Sequence, residues 1–445
     1  MLCSGEDPRN HANWPRFCEY ASRVRRITIT PFLSNNDTRL WEEIAALSEG
    51  TSILPYLARV EIIWSPDPLR WGAPHVPSGT IRVPLLSLST RQAVVCGSIP
   101  DVIDPQSTLA CLTAIHQCSP NVEMIVYEVE AIRQVMSRHT NVMTEAAGHF
   151  GNLRSFEFKR LVMEFDPIQL GPLANLPRLE HIGLETEAIS RSDLPFTFKT
   201  LKSLYVKSRC GSVIGLLEDI RLPVLRHLSI SLHRIWATVH DISVATKIIA
   251  ARFPKLQALF LHASSSSPSG PVATGVGLQF LPVTAGRELP LVSLFPIAKP
   301  LLALRALRHI TLDIDLEHIT MEYTSDDLCA LADAWPSLED LRVEFPSRVG
   351  TRGEYAGVDT LVSFARGCPS LRELRLPTLT PISPEAAETQ PTPVVHRTLE
   401  VLEVGPTWEG TPMPTSDEGR ASEIFARELF PFAKRAFARW PFPHS

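Results

Sequence analysis

The sequence lacks most of what would mark a secreted, membrane-spanning or metal-stapled protein. Its eight cysteines, Cys3, Cys18, Cys96, Cys111, Cys118, Cys210, Cys329 and Cys368, form no C-x-x-C pair and no regular framework. That spacing excludes a disulfide scaffold and points to free thiols in a reducing compartment. No apolar h-region follows a basic start in "MLCSGEDPRNHANW", so no secretory signal is expected and the chain reads as intracellular, cytoplasmic or nuclear. The longest apolar run, Leu289 to Leu304, is broken by Pro290, Pro296, Lys299 and Pro300 and is too interrupted to span a bilayer. Charge of either sign is not in excess: 43 Lys and Arg stand against 48 Asp and Glu. A net charge of −5 gives no basis for a nucleic-acid or anionic-membrane partner. The signatures G-x-x-x-x-G-K-[S/T], G-x-S-x-G and H-E-x-x-H are all absent, so no enzyme, cofactor or metal is expected.

What the chain does have is a repeat. With 44% hydrophobic and 20% charged residues it is apolar enough to build a core. The template apolar-x-x-apolar-x-apolar recurs with its first position at Val24, Leu57, Val122, Leu153, Leu179, Leu201, Leu225, Leu256, Leu307, Leu338, Leu371 and Leu399. Most gaps run from 22 to 33 residues, the length of one strand plus one return segment. The gap from Leu57 to Val122 has room for a degenerate copy near "VPLLSLST", and that from Leu256 to Leu307 for an insertion. Proline stands two residues before the first position at Pro55, Pro120, Pro177, Pro223, Pro254, Pro336 and Pro369, where it stops a helix and launches an extended segment.

Between copies the apolar period becomes helical, as in Leu328, Leu331, Ala332 and Trp335 or Val358, Leu361, Val362 and Ala365. Strand and return helix, repeated, predict an α/β leucine-rich-repeat solenoid, a horseshoe with a parallel sheet on the concave face and irregular helices on the convex face. A doubly wound α/β sheet is the alternative architecture. The Asn or Cys that closes a regular leucine-rich repeat is missing, with Glu187 and Ser264 in its place, which predicts irregular bends and unequal loops. The expected organisation is a leader and cap over 1–23, repeats over 24–406 with a flexible insertion at 264–300, and a linker with a capping helix over 407–445. In that last helix Phe425, Leu429, Phe432 and Ala436 share a face.

In "NWPRFCEYASRVRRITI", Trp14, Phe17, Tyr20, Ala21, Arg23 and Val24, followed by the P-x-L-x-x-L-x-L copies, resemble the leucine-rich-repeat region of fungal, basidiomycete F-box-like proteins. The resemblance covers most of Trp14 to Val404. It implies a protein that presents substrates to a cullin ubiquitin ligase, with the repeats binding the substrate and an F-box docking a Skp-type adaptor. Thirteen residues precede Trp14 and none supplies an L-P-x-E-[I/L] start, so the adaptor is expected as a partner only if an F-box exists upstream.

The repeat also predicts a binding face. If the first, fourth and sixth positions are buried, the third, fifth and seventh point to solvent on the sheet. Central copies then expose His181, Gly183 and Glu185; Ser203, Tyr205 and Lys207; His227, Ser229 and Ser231; Ala258, Phe260 and His262; and His309, Thr311 and Asp313. Tyr205 and Phe260 share the fifth position on either side of Ser229, an aromatic pair among polar groups of the kind that anchors a protein partner. The candidate partner-binding residues are Tyr205, Phe260, Ser229, His227, His262 and His181, with Arg342 and Arg375 in a mixed-charge patch further along. The histidines are too dispersed to form a metal site.

Overall fold

The computed structural model of the chain describes residues 12–29, 52–64, 88–99, 105–131, 136–191, 196–233, 238–264, 290–316, 319–345, 355–377, 379–389, 394–405 and 416–433. The architecture is α/β. Parallel strands pair in chain order within each of two groups: β1 Arg26–Ile29, β2 Arg59–Trp64, β3 Gln92–Ile99, β4 Met124–Ala131, β5 Ser155–Phe165, β6 His181–Ile189 and β7 Ser203–Ser208 in the first, and β8 His227–His233, β9 Ala258–Ser264, β10 His309–Asp315, β11 Asp340–Glu344, β12 Glu373–Leu376 and β13 Val401–Val404 in the second. The chain divides into two compact units, Met1–Ser208 with Asp219–Val224, and Arg209–Glu218 with Leu225–Ser445. Helices α1 Trp14–Arg23, α2 Pro105–Cys118 and α3 Met136–Ala147 belong to the first, and α4 Val239–Arg252, α5 Ser325–Ala334, α6 Leu361–Gly367 and α7 Ser416–Leu429 to the second.

One kind of turn sets the start of several strands. At the end of α4, α5 and α6 the residues Phe253, Trp335 and Cys368 leave the helical region, with ψ of 60°, 70° and 71°. The following proline requires this, because its ring disfavours αR in the residue before it. The three carbonyls accept from the N–H groups of Leu256 (3.1 Å), Leu338 (3.0 Å) and Leu371 (3.1 Å), so Pro254, Pro336 and Pro369 sit second in a four-residue turn, where a φ near −65° fits. Proline favours the turn without being required for it: Leu153 to Phe150 (2.9 Å) and Leu307 to Leu304 (3.2 Å) make the same bond without one.

Beyond the turn, backbone carbonyls fix the register. The Arg25 oxygen accepts from the N–H groups of both Ala58 (2.8 Å) and Arg59 (3.0 Å), and Glu339 accepts likewise from Arg372 (2.7 Å) and Glu373 (3.1 Å). Thr200 Oγ1 donates to the Leu179 carbonyl at 2.7 Å, and Thr398 Oγ1 to that of Leu371 at 3.0 Å. Strands entering from one type of turn onto one type of acceptor align copy on copy. A one-residue slip would turn every leucine to the other face.

The template positions then fill the core. In the first unit Leu57, Val60 and Ile62, Leu153, Phe156 and Phe158, and Leu179, Ile182 and Leu184 are buried; in the second unit so are Leu256, Leu259 and Leu261, and Leu338, Leu341 and Val343. Each such side chain contributes roughly 1.5–3 kcal/mol. Val24 and Ile27, in the first copy, are only half-buried. Tyr127, Phe156 and Phe165 surround Phe158 with ring centroids 5.8, 4.8 and 5.6 Å away. The irregularity expected from the missing asparagine shows in β5, where Arg160 takes a left-handed φ of 59° and the pairing with β6 shifts register.

The degenerate copy starts at the end of "VPLLSLST": its last residue, Thr90, forms the buried triplet with Ala93 and Val95 of β3, while Leu88 is exposed. Two expectations need correction. Of the segment expected to be a flexible insertion, 265–289 lies outside the described residues. Residues 290–300 are built into the second unit instead: Leu291–Ser293 pairs with Thr320–Glu322, Leu294 and Ile297 are buried, and Ser243 Oγ donates to the Pro296 carbonyl at 2.8 Å. At the C-terminus α7 stops at Leu429, before Pro431; Phe425 and Leu429 are buried as expected of a cap, but Phe432 is exposed and Ala436 lies outside the described residues.

Candidate protein-binding face

Opposite the buried leucines, the second unit presents three rows of side chains in register. The fifth template positions run Ser229, Phe260, Thr311, Arg342, Arg375, Glu403. Phe260 is 43% exposed, a large apolar side chain left in water on a strand whose next residue, Leu261, is fully buried. The third positions run His227, Ala258, His309, Asp340, Glu373 and Val401, and the seventh positions Ser231, His262, Asp313 and Glu344.

Charges on these rows are paired within the face. His262 Nδ1 lies 2.7 Å from Asp313 Oδ2, and His309 Nδ1 lies 2.5 Å from Asp340 Oδ2. Arg342 donates to Glu344 at 2.7 Å, while Arg375 donates to Glu373 and stands 3.2 Å from Glu403. Such pairs are worth about 0–1 kcal/mol each to stability, because both partners remain partly solvated. Burial pushes the His227 imidazole below its usual pKa, with electrostatic effects of His309 and Arg226 in the same direction, so it stays neutral to lower pH than a free histidine. At the far end of the face Arg342 and Arg375 stand against Asp340, Glu344, Glu373 and Glu403, so acids outnumber bases there.

In the first unit the corresponding face carries His181 and Tyr205. His181 Nδ1 lies 3.0 Å from Ser203 Oγ, and His181 Nε2 lies 3.5 Å from Glu157 Oε1. Glu157 also meets Lys159 Nζ at 3.0 Å. The hydrogen bond from His181 outweighs desolvation and, with Lys159, holds the Glu157 carboxyl down at about 2. Gly183 is what makes room for this cluster: a Cβ there would come within 3.0 Å of Glu157 Cγ and 3.6 Å of His181 Nε2. Tyr205, directly opposite Gly183 in register, is half-buried, and desolvation, then Glu185 and Glu157, push its phenol up to about 12. It is a hydrogen-bond donor at neutral pH.

A hydroxyl, an imidazole and a carboxylate in a row invite comparison with a nucleophilic relay. Acyl transfer also needs N–H donors aimed at the developing oxyanion. The N–H groups of Lys202 and Ser203 are both spent on the Glu180 carbonyl, at 2.8 and 2.9 Å.

Ser229, Phe260, Arg342 and Arg375 thus fall in one row, with His262 in the row on one side and His227 in the row on the other. The Tyr205–Phe260 pairing expected from the repeat spans the two units: Tyr205 is opposite Gly183, and Phe260 stands between Ser229 and Thr311. Reading the repeat missed Glu157 and Glu403, which hold His181 and Arg375. Both occupy the fifth template position of their own copies, so extending the same count one copy in each direction finds them. Among the described residues, no three His, Cys, Asp or Glu side chains converge as metal ligands would, and no helix is long and apolar enough to cross a membrane. No protein-family model and no curated protein matches the chain.

Proposed function

We propose that the chain is a leucine-rich-repeat horseshoe without catalytic activity, which binds a protein on the strand face opposite its buried leucines. On this reading it is the substrate-recognition part of an F-box-like ubiquitin-ligase adaptor. The observation that carries the binding reading is the row from Ser229 to Arg375, with the exposed Phe260 ring flanked by Ser229 and Thr311 and followed by two arginines already held in place. Aromatic and arginine side chains on a rigid face are the groups that most often anchor protein partners. The link to ubiquitin rests on the resemblance of the Trp14 to Ile29 stretch and the proline-marked copies to fungal F-box-like proteins.

Affinity purification of the natively expressed protein with mass spectrometry, scored for a Skp-type adaptor and a cullin, tests the assignment. Recovery of both, together with a protein lost on Phe260→Ala, supports it. A Phe260-dependent partner without adaptor or cullin would instead make the chain a repeat scaffold unconnected to ubiquitin. Partners that all persist in Phe260→Ala would remove this face from the reading.

A further inference from the structure

A second surface lies at the N-terminal edge of the first unit, away from the rows described above, and it has a different chemistry. Helix α1 buries one residue, Ala21. Two of its aromatic side chains stay in water, Phe17 at 37% and Tyr20 at 52% exposed, and the half-buried Trp14 stacks on Phe17 with centroids 5.3 Å apart. Tyr56, in the turn before β2, is 58% exposed. An amphipathic helix ordinarily turns such a face inward. Isolated exposed aromatics need no explanation, but three at one edge do.

The charge at this edge runs against that of the chain. Residues 12–29 hold Arg16, Arg23, Arg25 and Arg26 against Glu19 alone, in a chain where acids outnumber bases. Glu19 pairs with Arg23, and Glu61 pairs with Arg26. Arg16 and Arg25 lie on aromatic rings instead of on carboxylates. The Arg16 guanidinium is 5.6 Å from the Tyr20 centroid and donates to its hydroxyl at 3.2 Å, and the Arg25 guanidinium is 5.0 Å from the Tyr56 centroid. Arg25 Nη1 also donates to the Ser22 carbonyl at 2.7 Å, which ties the turn at Tyr56 to the end of α1. Each guanidinium still has N–H groups beyond those given to the Tyr20 hydroxyl or to the Ser22 and Val24 carbonyls, and these can take a carboxylate.

We infer that α1 and the Tyr56 turn form a docking surface for an acidic peptide segment of a partner protein, one that seats an apolar side chain against Trp14 and Phe17 and places carboxylates on Arg16 and Arg25. A membrane surface fits less well. A helix lying in a bilayer segregates its charges to the face away from the lipid. Here Arg16 and Arg23 sit on the same ring, Tyr20, that would have to insert.

The probe is a display library of random peptides of about twelve residues, panned against the full chain, with selected peptides resynthesised and measured by fluorescence anisotropy. The expected result is enrichment of peptides that carry two or more acidic residues around an aromatic or leucine. Their affinity should fall at least about tenfold in Phe17→Ala and in Arg25→Ala, and with added salt, while Phe260→Ala leaves it unchanged. Because these side chains are exposed, the melting temperature should not move, and Arg25→Lys, which keeps the charge but not the planar fork, should lose affinity at unchanged fold. Peptides without acidic bias, no enrichment at all, or binding that survives Phe17→Ala and Arg25→Ala would overturn the inference. Binding to phosphatidylserine vesicles without peptide binding would assign the surface to lipid. A dimer that dissociates in Phe17→Ala would assign it to a second copy of the chain. Either outcome overturns the acidic peptide.

Discussion

Arg154 is held to Glu123 twice: its N–H donates to the Glu123 carbonyl at 2.7 Å, and its guanidinium stands 3.9 Å from the Glu123 carboxylate. The Glu123 carbonyl also accepts from Ser155 at 2.9 Å, and Arg91 approaches the same carboxylate at 3.6 Å. The backbone bonds fix the register, whereas the ion pairs decorate it, and the two should separate on mutation. Glu123→Ala keeps the carbonyl and loses only partly exposed charges, so it should cost less than about 1 kcal/mol. Leu153→Ala, one residue before Arg154 and fully buried, should cost about 2–5 kcal/mol. Urea titration of both variants reads the difference, and equal losses would show that the surface ladder shapes the fold.

Thiol reactivity should follow position in the repeat. Cys368 closes α6 with its side chain buried, and burial, with a smaller effect of Asp333, pushes its thiol up to about 12. Cys210 is pushed up to about 12 in the same way, with Asp241 adding to burial. The thiolate is the reactive species, so both should resist N-ethylmaleimide at neutral pH until the chain unfolds, while the exposed Cys18 on α1 is labelled at once. Peptide mapping of the labelled native protein checks this. Early modification of Cys368 would mean that the turn into β12 opens readily.

How far the sequence could be read depended on how literally each copy spelled the template. Copies with leucine first, such as Leu179 and Leu256, could be placed to the residue, because a buried first position and a strand of period two leave one register. The copy ending in β3 could be placed only loosely because its first position is Thr90, a buried polar residue, while the leucine just before it, Leu88, is exposed. The insertion was drawn too long: the gap between Leu256 and Leu307 suggested 264–300, yet Leu294 and Ile297 within it are buried. On the candidate face, which residues point outward could be counted along each strand. Which of them pair could not, because His262–Asp313 and Arg375–Glu403 depend on neighbouring strands and on side-chain rotamers. The exposure of α1 was out of reach for the same reason, since apolar spacing alone predicts burial.

The Glu157 cluster gives a pH dependence whose sign is fixed. Hydrogen bonds from His181 and then Lys159 lower the folded-state pKa of Glu157 from 4.5 to about 2. A carboxyl depressed on folding adds stability that is fully present above its unfolded value and is lost as the pH falls through the folded one. The stability gap between the natural chain and Glu157→Gln should therefore be constant above about pH 5 and shrink between 4.5 and about 2. Denaturation midpoints across that range measure it, and a gap that persists unchanged to the acid end would show that the carboxylate is not held as described.

Two neighbours on β9 separate fold from function most directly. Leu259 and Phe260 are consecutive, so they point to opposite faces of the sheet. Leu259 is fully buried and opposite Leu228 and Ile310, while Phe260 is exposed and opposite Ser229 and Thr311. Leu259→Ala removes buried volume and should destabilise the chain by about 2–5 kcal/mol. Phe260→Ala removes a ring that the fold hardly uses, so its effect on stability should stay within about 0.5 kcal/mol. Binding should show the reverse order: with Phe260 as anchor, its truncation should weaken the partner by about 2 kcal/mol or more, whereas Leu259→Ala, assayed below its melting transition, should bind nearly as well as the natural chain. Calorimetric melting and titration with the partner recovered by affinity purification measure the two quantities on the same preparations. A Phe260→Ala variant that melts early would make the ring structural, and one that melts and binds normally would take the anchor away from this face.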